Sequence, residues 1–166
     1  PLTVASFNAP PLLCEGSTIQ LVSNSYLAAS VQWHFSDDNS TVFGNSVVHT
    51  FNAPGTYTIT LTAQNPITCN AVDTISRTVT VIAPIVESLS DVTVCAGVPI
   101  QLGQVSADPN AVYTWTPNDG NLSDVNGPLP IFTGSSNGSY QLLVQHDICT
   151  DTLTQNVIVP QLELVL

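Results

Sequence analysis

Four cysteines are the residues of this sequence whose type and spacing are suited to chemistry. Cys14, Cys69, Cys95 and Cys149 lie 55, 26 and 54 positions apart along the 166 residues. Structural zinc sites use closely spaced ligand pairs such as C-x₂-C, and this sequence has no such pair. The spacing therefore predicts disulfide bonds, and with them an oxidising, extracellular or cell-surface location.

The cysteines belong to an internal repeat of about 80 residues. The matched positions are Cys14–Leu21 with Cys95–Leu102, Trp33 with Trp115, Tyr57 with Tyr140, and Cys69 with Cys149. The segment 81–87 returns once more as 157–163. Self-similarity at this period is typical of tandem modules. We therefore expect two domains, 1–83 and 84–166, with the start of a following unit at 160–166.

The composition narrows the class of protein. The sequence has no lysine and one arginine, Arg77, but twelve Asp and Glu residues. The net charge at pH 7 is therefore −11, and the isoelectric point is about 4.1. Such a charge repels nucleic acid and anionic membrane surfaces. The sequence also lacks a run of about 18 apolar residues, the length that a membrane-spanning helix needs. Neither nucleic-acid binding nor membrane insertion is therefore expected.

Strand patterns dominate between the cysteines. In Thr56–Thr62, threonines alternate strictly with Tyr57, Ile59 and Leu61, and clusters of Pro, Gly and Asn separate such runs. The predicted strands are 3–13 (broken by Pro10 and Pro11), 18–24, 30–35, 46–51, 55–64 and 73–82 in the first unit, and 85–94, 98–105, 111–116, 130–133, 139–146 and 152–159 in the second. Short strands with a tryptophan on the third are typical of an immunoglobulin-like sandwich. The expected fold class is all-β, with two tandem immunoglobulin-like antiparallel β-sandwiches. The expected core aromatic residues are Trp33, Trp115, Tyr57 and Tyr140.

Two segments of the first unit resemble the polycystic-kidney-disease (PKD) type of immunoglobulin-like domain. Residues 31–38, VQWHFSDD, are similar to the family's W-x-F-G-D-G strand and turn, with Ser36 where the family usually has glycine. Residues 49–61, HTFNAPGTYTITL, are similar to its H-x-Y-x-x-P-G-x-Y-x-V-x-L segment. The second unit resembles related modules of large Bacteroidota surface proteins through its cysteine segment, Tyr113–Pro117, Ser139–Val144 and its late cysteine. The resemblance implies a secreted, multi-module surface protein such as a gliding adhesin, with neighbouring modules as partners, no cofactor and no catalytic residue.

The sequence leaves two disulfide pairings open. Pairing inside each unit joins Cys14 to Cys69 and Cys95 to Cys149. However, Cys14 is expected in the turn after the first strand and Cys69 in the turn before the last. A strand of about nine residues separates these turns by about 30 Å, whereas the Cα atoms of a disulfide lie about 4.4–6.8 Å apart. In a head-to-tail array Cys14 instead bonds Cys149, and Cys69 and Cys95 bond neighbouring modules.

Other polar groups give weaker signals. Gly134–Gly138 has the G-x-S-x-G pattern of a nucleophile, but the pattern precedes a strand where the mechanism needs a helix, so no enzyme is predicted. Asp37, Asp38 and Asn39 form an oxygen-rich turn, which either binds calcium or closes on its own backbone as an Asx-turn. His49 lies in the second PKD-like segment and is expected to support the turn of that motif by hydrogen bonding.

The segments Asp-Thr-Ile at 73–75 and Asp-Thr-Leu at 151–153 recur just after the late cysteines. They resemble the O-glycosylation acceptor motif of Bacteroidota, which implies Thr74 and Thr152 as glycan sites; the alternative is simply the start of the last strand. The function expected from the whole sequence is a non-catalytic structural or adhesive repeat segment of a large secreted or cell-surface filament protein. The alternative is a carbohydrate-binding or accessory module of a secreted enzyme, with surface glycans as partners.

Overall fold

The computed structural model describes residues 1–86, 88–104 and 108–161, and over them the chain is all-β. It divides into two compact units, 1–83 and 84–166. The strands are β1 Leu12–Cys14, β2 Thr18–Val22, β3 Ser30–Phe35, β4 Thr41–Phe43, β5 Ser46–Thr50, β6 Gly55–Gln64, β7 Val72–Ile82, β8 Val92–Thr93, β9 Ile100–Gln101, β10 Val112–Thr116, β11 Ile131–Phe132, β12 Gly138–His146 and β13 Cys149–Ile158. Within the described residues there is no helix long and apolar enough to cross a membrane. The predicted fold class of two tandem immunoglobulin-like sandwiches is confirmed.

Unit 1 has one large and one small sheet. The large sheet has the order β1-β7-β6-β3-β4, and the small sheet pairs β2 with β5. The long antiparallel pair of β6 and β7 forms the centre of the large sheet, from Gly55–Val81 to Gln64–Val72. Because strand side chains alternate between faces, Ile59 and Leu61 enter the core while the threonines between them lie on the outer face. The edge strand β4 is an element that the sequence did not predict.

The N-terminal segment of unit 1 is broken at Pro10 and Pro11, as the sequence predicted. It forms two isolated bridges, to residues 23 and 26 just after β2, before β1 joins the large sheet. Pro10 and Pro11 explain the interruption, because proline has no N–H to donate to a strand ladder. The chain crosses between the sheets at these prolines. As a result β1 runs parallel to β7, so the sandwich is not purely antiparallel.

Unit 2 repeats this plan with shorter strands. Its sheets have the orders β10-β12-β13-β8 and β11-β9, and β8 again runs parallel to the last strand. The sequence predicted strands at 85–94 and 98–105, and the described part of these segments has only the short strands β8 and β9. Residues 87 and 105–107 of the predicted and adjoining segments lie outside the described residues. Gly103 ends the second of these runs. Its φ is +82°, and a Cβ there would overlap the carbonyl of Pro128, so the chain turns away from the ladder.

Each unit has its own core around a buried tryptophan. Trp33 and Trp115 are 0% and 1% exposed. The indole N–H of Trp33 donates to the carbonyl oxygen of Gly44 over 2.9 Å, and that of Trp115 donates to the carbonyl oxygen of Gly127 over 3.0 Å. These bonds satisfy the one polar group of each indole, which burial would otherwise leave without a partner at a cost in stability.

The tyrosines show that the repeat is not in register throughout. Trp33 pairs with the residue four positions after Tyr57, whereas Trp115 pairs with the residue two positions after Tyr140. A shift of two residues keeps both tryptophans on the core face, because the alternation of a strand has a period of two. Tyr140 is buried, while Tyr57 is partly buried and stacks on the ring of Phe51 at a centroid distance of 5.7 Å.

Replacing the tryptophan of unit 1 should cost most of that unit's stability. We expect Trp33→Ala to lower its free energy of unfolding by about 3–5 kcal/mol, since the change leaves a large cavity. The milder Trp33→Phe variant keeps a ring but loses the bond to Gly44. Urea unfolding followed by circular dichroism measures both. As the matched control, Phe43→Ala removes an aromatic side chain that is 71% exposed and should change stability by less than about 0.5 kcal/mol. Equal losses for Trp33→Ala and Phe43→Ala would contradict this account of the core.

Candidate functional site

The first cysteine of each unit lies in the same kind of turn. Cys14 ends β1, and the N–H three residues later donates to its carbonyl oxygen over 3.0 Å; an identical 3.0 Å bond closes the turn at Cys95. Each turn contains a glycine with positive φ, 74° at Gly16 and 71° at Gly97. Glycine adopts this conformation readily because it has no Cβ. Cys14 and Cys95 therefore hold equivalent positions in their units.

The late cysteine of each unit lies between the last two strands. Cys149 begins β13 after a tight turn in which Asp147 has a φ of 46°, and its side chain is buried. Cys69 lies in the longer connection 65–71, where its N–H donates to the carbonyl oxygen of Pro1 over 3.1 Å. Cys69 is exposed.

The four cysteines differ in their bonding state. Cys14 and Cys149 are disulfide-bonded, whereas Cys69 and Cys95 carry free, exposed thiols. This distribution contradicts the pairing inside each unit, which would join Cys14 to Cys69 and Cys95 to Cys149. Cys69 and Cys95 form no disulfide in the isolated chain, and their expected bonds to neighbouring modules stay a prediction.

His49 is hydrogen-bonded to the turn after β3. Its Nε2 lies 2.9 and 3.0 Å from the two carboxylate oxygens of Asp37, and the two side chains are only 9% and 11% exposed. The imidazole stacks on the ring of Phe35 at a centroid distance of 3.8 Å. The pair therefore links the end of β3 to β5 inside the aromatic part of the core.

The oxygen-rich turn 37–39 has enough protein donors to explain its geometry. Asp37, Asp38 and His49 bring ligand atoms within 4.8 Å of one another. However, Asp37 is bonded to His49, and Asp38 Oδ1 accepts the Ser40 N–H over 2.8 Å as an Asx-turn does. Calcium prefers about six to eight oxygen ligands. The Asx-turn alternative thus describes this segment, and the calcium alternative gains no support from it.

The aspartates of the Asp-Thr motifs share a structural role that the sequence analysis missed. Asp73 Oδ2 accepts the Ala5 N–H over 2.8 Å, and Asp151 Oδ2 accepts the Ile85 N–H over 3.3 Å. The same Asp151 oxygen lies 3.0 Å from Nε2 of the buried His146. Each carboxylate therefore ties the beginning of its unit to its last strand. Recurrence of the motif at matched positions was the available signal.

The threonines of these motifs are exposed. Thr74 and Thr152 both point to solvent, and Thr74 Oγ1 lies 3.3 Å from Thr62 Oγ1. Thr74 is part of an outer face of β6 and β7 made of hydroxyl pairs, which we call the hydroxyl face: Thr56 with Thr80, Thr58 with Thr78, Thr60 with Ser76, and Thr62 with Thr74. The accessibility of both threonines is compatible with glycosylation, which stays a prediction.

The G-x-S-x-G segment forms the turn between β11 and β12. Gly134 packs so closely on the ring of Phe132 that a Cβ would clash, and Asn137 Oδ1 accepts the Val159 N–H over 2.7 Å. Ser136 is exposed, and β12 begins at Gly138, where the nucleophile pattern requires a helix. The glycines and the asparagine thus have structural roles in this turn.

A hydrogen-bond network around Tyr140 was also missed. The Tyr140 hydroxyl donates to Asp119 Oδ2 over 2.8 Å, and the backbone N–H and side-chain amide of Asn121 donate to the same carboxylate over 3.0 and 2.8 Å. Burial opposes ionisation of Asp119, but these hydrogen bonds outweigh it and hold the pKa of Asp119 below its ordinary value. Burial, together with this carboxylate, raises the pKa of Tyr140.

Comparison with known proteins finds a family likeness for unit 1. Residues 3–81, slightly less than half of the chain, match the family model described as a PKD domain. A comparison with curated proteins finds no match. Unit 1 is therefore similar to a PKD domain, and the matched residues lie within that unit.

Several solved structures are similar in fold. A chimeric titin Z1Z2 tandem is 14% identical over 95% of this chain and 100% of that one, with a TM-score of 0.40. Extracellular domains 3–5 of Drosophila OTK are 15% identical over 89% and 61%, with a TM-score of 0.37. A structure of carbohydrate-binding modules from the β-sandwich superfamily is 16% identical over 86% and 58%, with a TM-score of 0.45. The chain spans about three fifths of the last two. At these scores the likeness carries no argument about function.

The Asp119 network should make unit 2 sensitive to acid. Because the folded pKa of Asp119 is lowered, its contribution is present above the unfolded value of 3.8 and is lost as the pH falls through the folded pKa. We expect Asp119→Asn to lower the free energy of unfolding by about 1 kcal/mol at neutral pH, and by much less at a pH below the folded pKa, where the wild-type carboxylate is itself protonated. Urea unfolding at both pH values measures this difference.

Asp124→Asn is the matched control, because Asp124 Oδ1 accepts a single backbone bond from Asn126 over 2.8 Å in an Asx-turn of the same unit. At neutral pH, Asp124→Asn should lower the free energy of unfolding by less than Asp119→Asn does. A loss for Asp119→Asn that is the same at both pH values would show that the ionised carboxylate is not what stabilises Tyr140.

Proposed function

We propose that this chain is a non-catalytic structural or adhesive segment of a secreted or cell-surface filament protein, in which a Cys14–Cys149 disulfide ties one module to the next. The observation that carries the proposal is the bonding state of the cysteines. One cysteine from each unit is disulfide-bonded, and the remaining two are free thiols. The resemblance to Bacteroidota surface proteins suggests a gliding adhesin as the parent protein.

A covalent tie between modules has a mechanical purpose. Units of about 80 residues bury small cores and have little surplus stability. A filament under tension loads each module through the chain that enters and leaves it. A disulfide between Cys14 and Cys149 would carry that tension directly, so the residues between them would not be pulled apart. In the chain-entropy description, closing so long a loop also stabilises the folded pair by up to about 5 kcal/mol.

The composition supports an extracellular setting. Disulfides persist in oxidising compartments. With no lysine and with Arg77 as the single arginine, the chain offers proteases of trypsin-like specificity one site. Neighbouring modules of the same chain or filament are the proposed partners, and surface glycans are the second class of partner.

Pulling the oxidised chain from both termini tests the bridge. Residues 15–148 should stay shielded from force, and reduction should release about 470 Å of additional contour length at about 3.5 Å per residue. Cys149→Ser should show the full extension without reductant, whereas the control Cys69→Ser should behave like the wild type. Full extension of the oxidised wild type would exclude the bridge. Recovery of a Cys14–Cys149 peptide after digestion without reductant is the independent chemical measurement.

The fragment should not hydrolyse ester, peptide or glycoside substrates. Ser136 lies in a turn without the elbow that a nucleophile requires. Assays with chromogenic substrates should give the same background rate for the wild type and Ser136→Ala. Turnover that disappears in Ser136→Ala would refute the non-catalytic assignment.

A further inference from the structure

We propose that Cys69 and Cys95 form a second disulfide between like modules, in which Cys95 of one copy of this chain bonds Cys69 of the next. The inference rests on the proposed Cys14–Cys149 bridge. It assigns the same kind of disulfide to Cys69 and Cys95, the two cysteines that this bridge does not use. The partner is a module of this same type, represented in solution by a second copy of the chain.

Cys95 is the counterpart of Cys14. Cys14 is the last residue of β1, which runs parallel to β7, and Cys95 lies two residues after β8, which runs parallel to β13. Each opens a turn closed by a 3.0 Å backbone hydrogen bond, with a positive-φ glycine two residues after the cysteine. Unit 2 therefore presents Cys95 on the same backbone frame on which unit 1 presents the disulfide-bonded Cys14. Its thiol is free and exposed.

Cys69 is the counterpart of Cys149. Cys69 lies in the connection between β6 and β7, and Cys149 is the first residue of β13, directly after the turn that follows β12. The loop at Cys69 is held in place, because its N–H bonds Pro1 over 3.1 Å and the Asn70 side chain bonds both the N–H and the carbonyl of Thr3 over 2.8 Å. An exposed thiol on such a fixed loop loses little conformational entropy when it bonds.

The two remaining thiols lie at different positions in the repeat. Cys95 is the first cysteine of its unit, whereas Cys69 is the late cysteine of its unit. Their bond therefore joins two different surfaces and is heterologous. Repetition of a heterologous contact that does not close on itself gives an open chain and not a symmetric dimer. Copies of this chain should accordingly link in a linear series through alternating Cys95 and Cys69.

Bond formation oxidises two thiols, so it needs a disulfide oxidant, which is glutathione disulfide in the experiment. One protein thiolate attacks this oxidant, forms a mixed disulfide and releases one glutathione thiolate. The second protein thiolate then attacks the protein sulfur of the mixed disulfide and releases the other. The two glutathione thiolates take up the two protons that the protein thiols lose, and the two electrons reduce the glutathione disulfide.

The test mixes Cys69→Ser with an isotope-labelled Cys95→Ser in a buffer with glutathione disulfide. Each variant keeps one of the two thiols and both Cys14 and Cys149. We expect the heterodimer to exceed either homodimer about tenfold, because docking of unlike surfaces raises the effective concentration of the correct thiols. Intact mass and a non-reducing gel measure the products. The wild type should extend to a ladder of higher species, and the double Cys69→Ser/Cys95→Ser variant should stay monomeric.

Heterodimers and homodimers in statistical proportion, or glutathione adducts alone, would overturn this inference. Digestion of the same sample, with a protease that cleaves at carboxylates, separates this failure from failure of the proposed bridge. A recovered Cys14–Cys149 peptide without excess heterodimer refutes only the bond between copies. Absence of that peptide refutes the bridge, and this inference with it.

Discussion

The buried tryptophan of each unit is the contact on which its two sheets depend. Trp33 comes from β3 of the large sheet, and the ring of Phe7, from the segment beside β2, meets it edge-on at 5.0 Å. Its N–H must find an acceptor away from water, and the carbonyl of Gly44 supplies one. The chain after β4 must therefore pass close enough to the indole for the carbonyl of Gly44 to accept this hydrogen bond. Trp115 imposes the same requirement on the connection that contains Gly127.

The two units share their cysteine turns and their anchoring aspartates more closely than they share the register of strand pairing. The cysteine turn recurs with the same closing bond, and an aspartate beside the late cysteine holds the first segment of its unit in both copies. The residue that pairs with the tryptophan nevertheless lies four positions after Tyr57 in unit 1 and only two positions after Tyr140 in unit 2. Evolution of such modules can shift strands by two residues without moving any side chain to the wrong face. It cannot as easily replace a turn whose backbone needs a glycine.

The fold class was predictable because alternation and breakers are local properties of the sequence. The long strands β6, β7, β12 and β13 followed from alternation alone. The break at Pro10 and Pro11 was also predictable, because proline cannot donate to a strand ladder. The predicted strand 98–105 is longer than β9 because Gly103 turns the chain away from the ladder. The anchoring bonds of Asp73 and Asp151 join residues 68 and 66 positions apart, so only the folded chain brings the partners together. The Tyr140–Asp119 bond was missed for the same reason.

The hydroxyl face has a consequence for the medium in which this protein can work. Thr60 and Ser76 bond each other over 2.9 Å, and Thr62 and Thr74 over 3.3 Å, so neutral pairs occupy positions where many sheets place ion pairs. Arg77, the single arginine, has its guanidinium 6.0 Å from the ring centre of Phe7. Dissolved ions weaken attraction between exposed charges but leave bonds between hydroxyl groups largely untouched. Higher salt instead screens the repulsion within a chain of net charge −11. The outer face of unit 1 is therefore held by contacts whose strength depends little on the salt concentration.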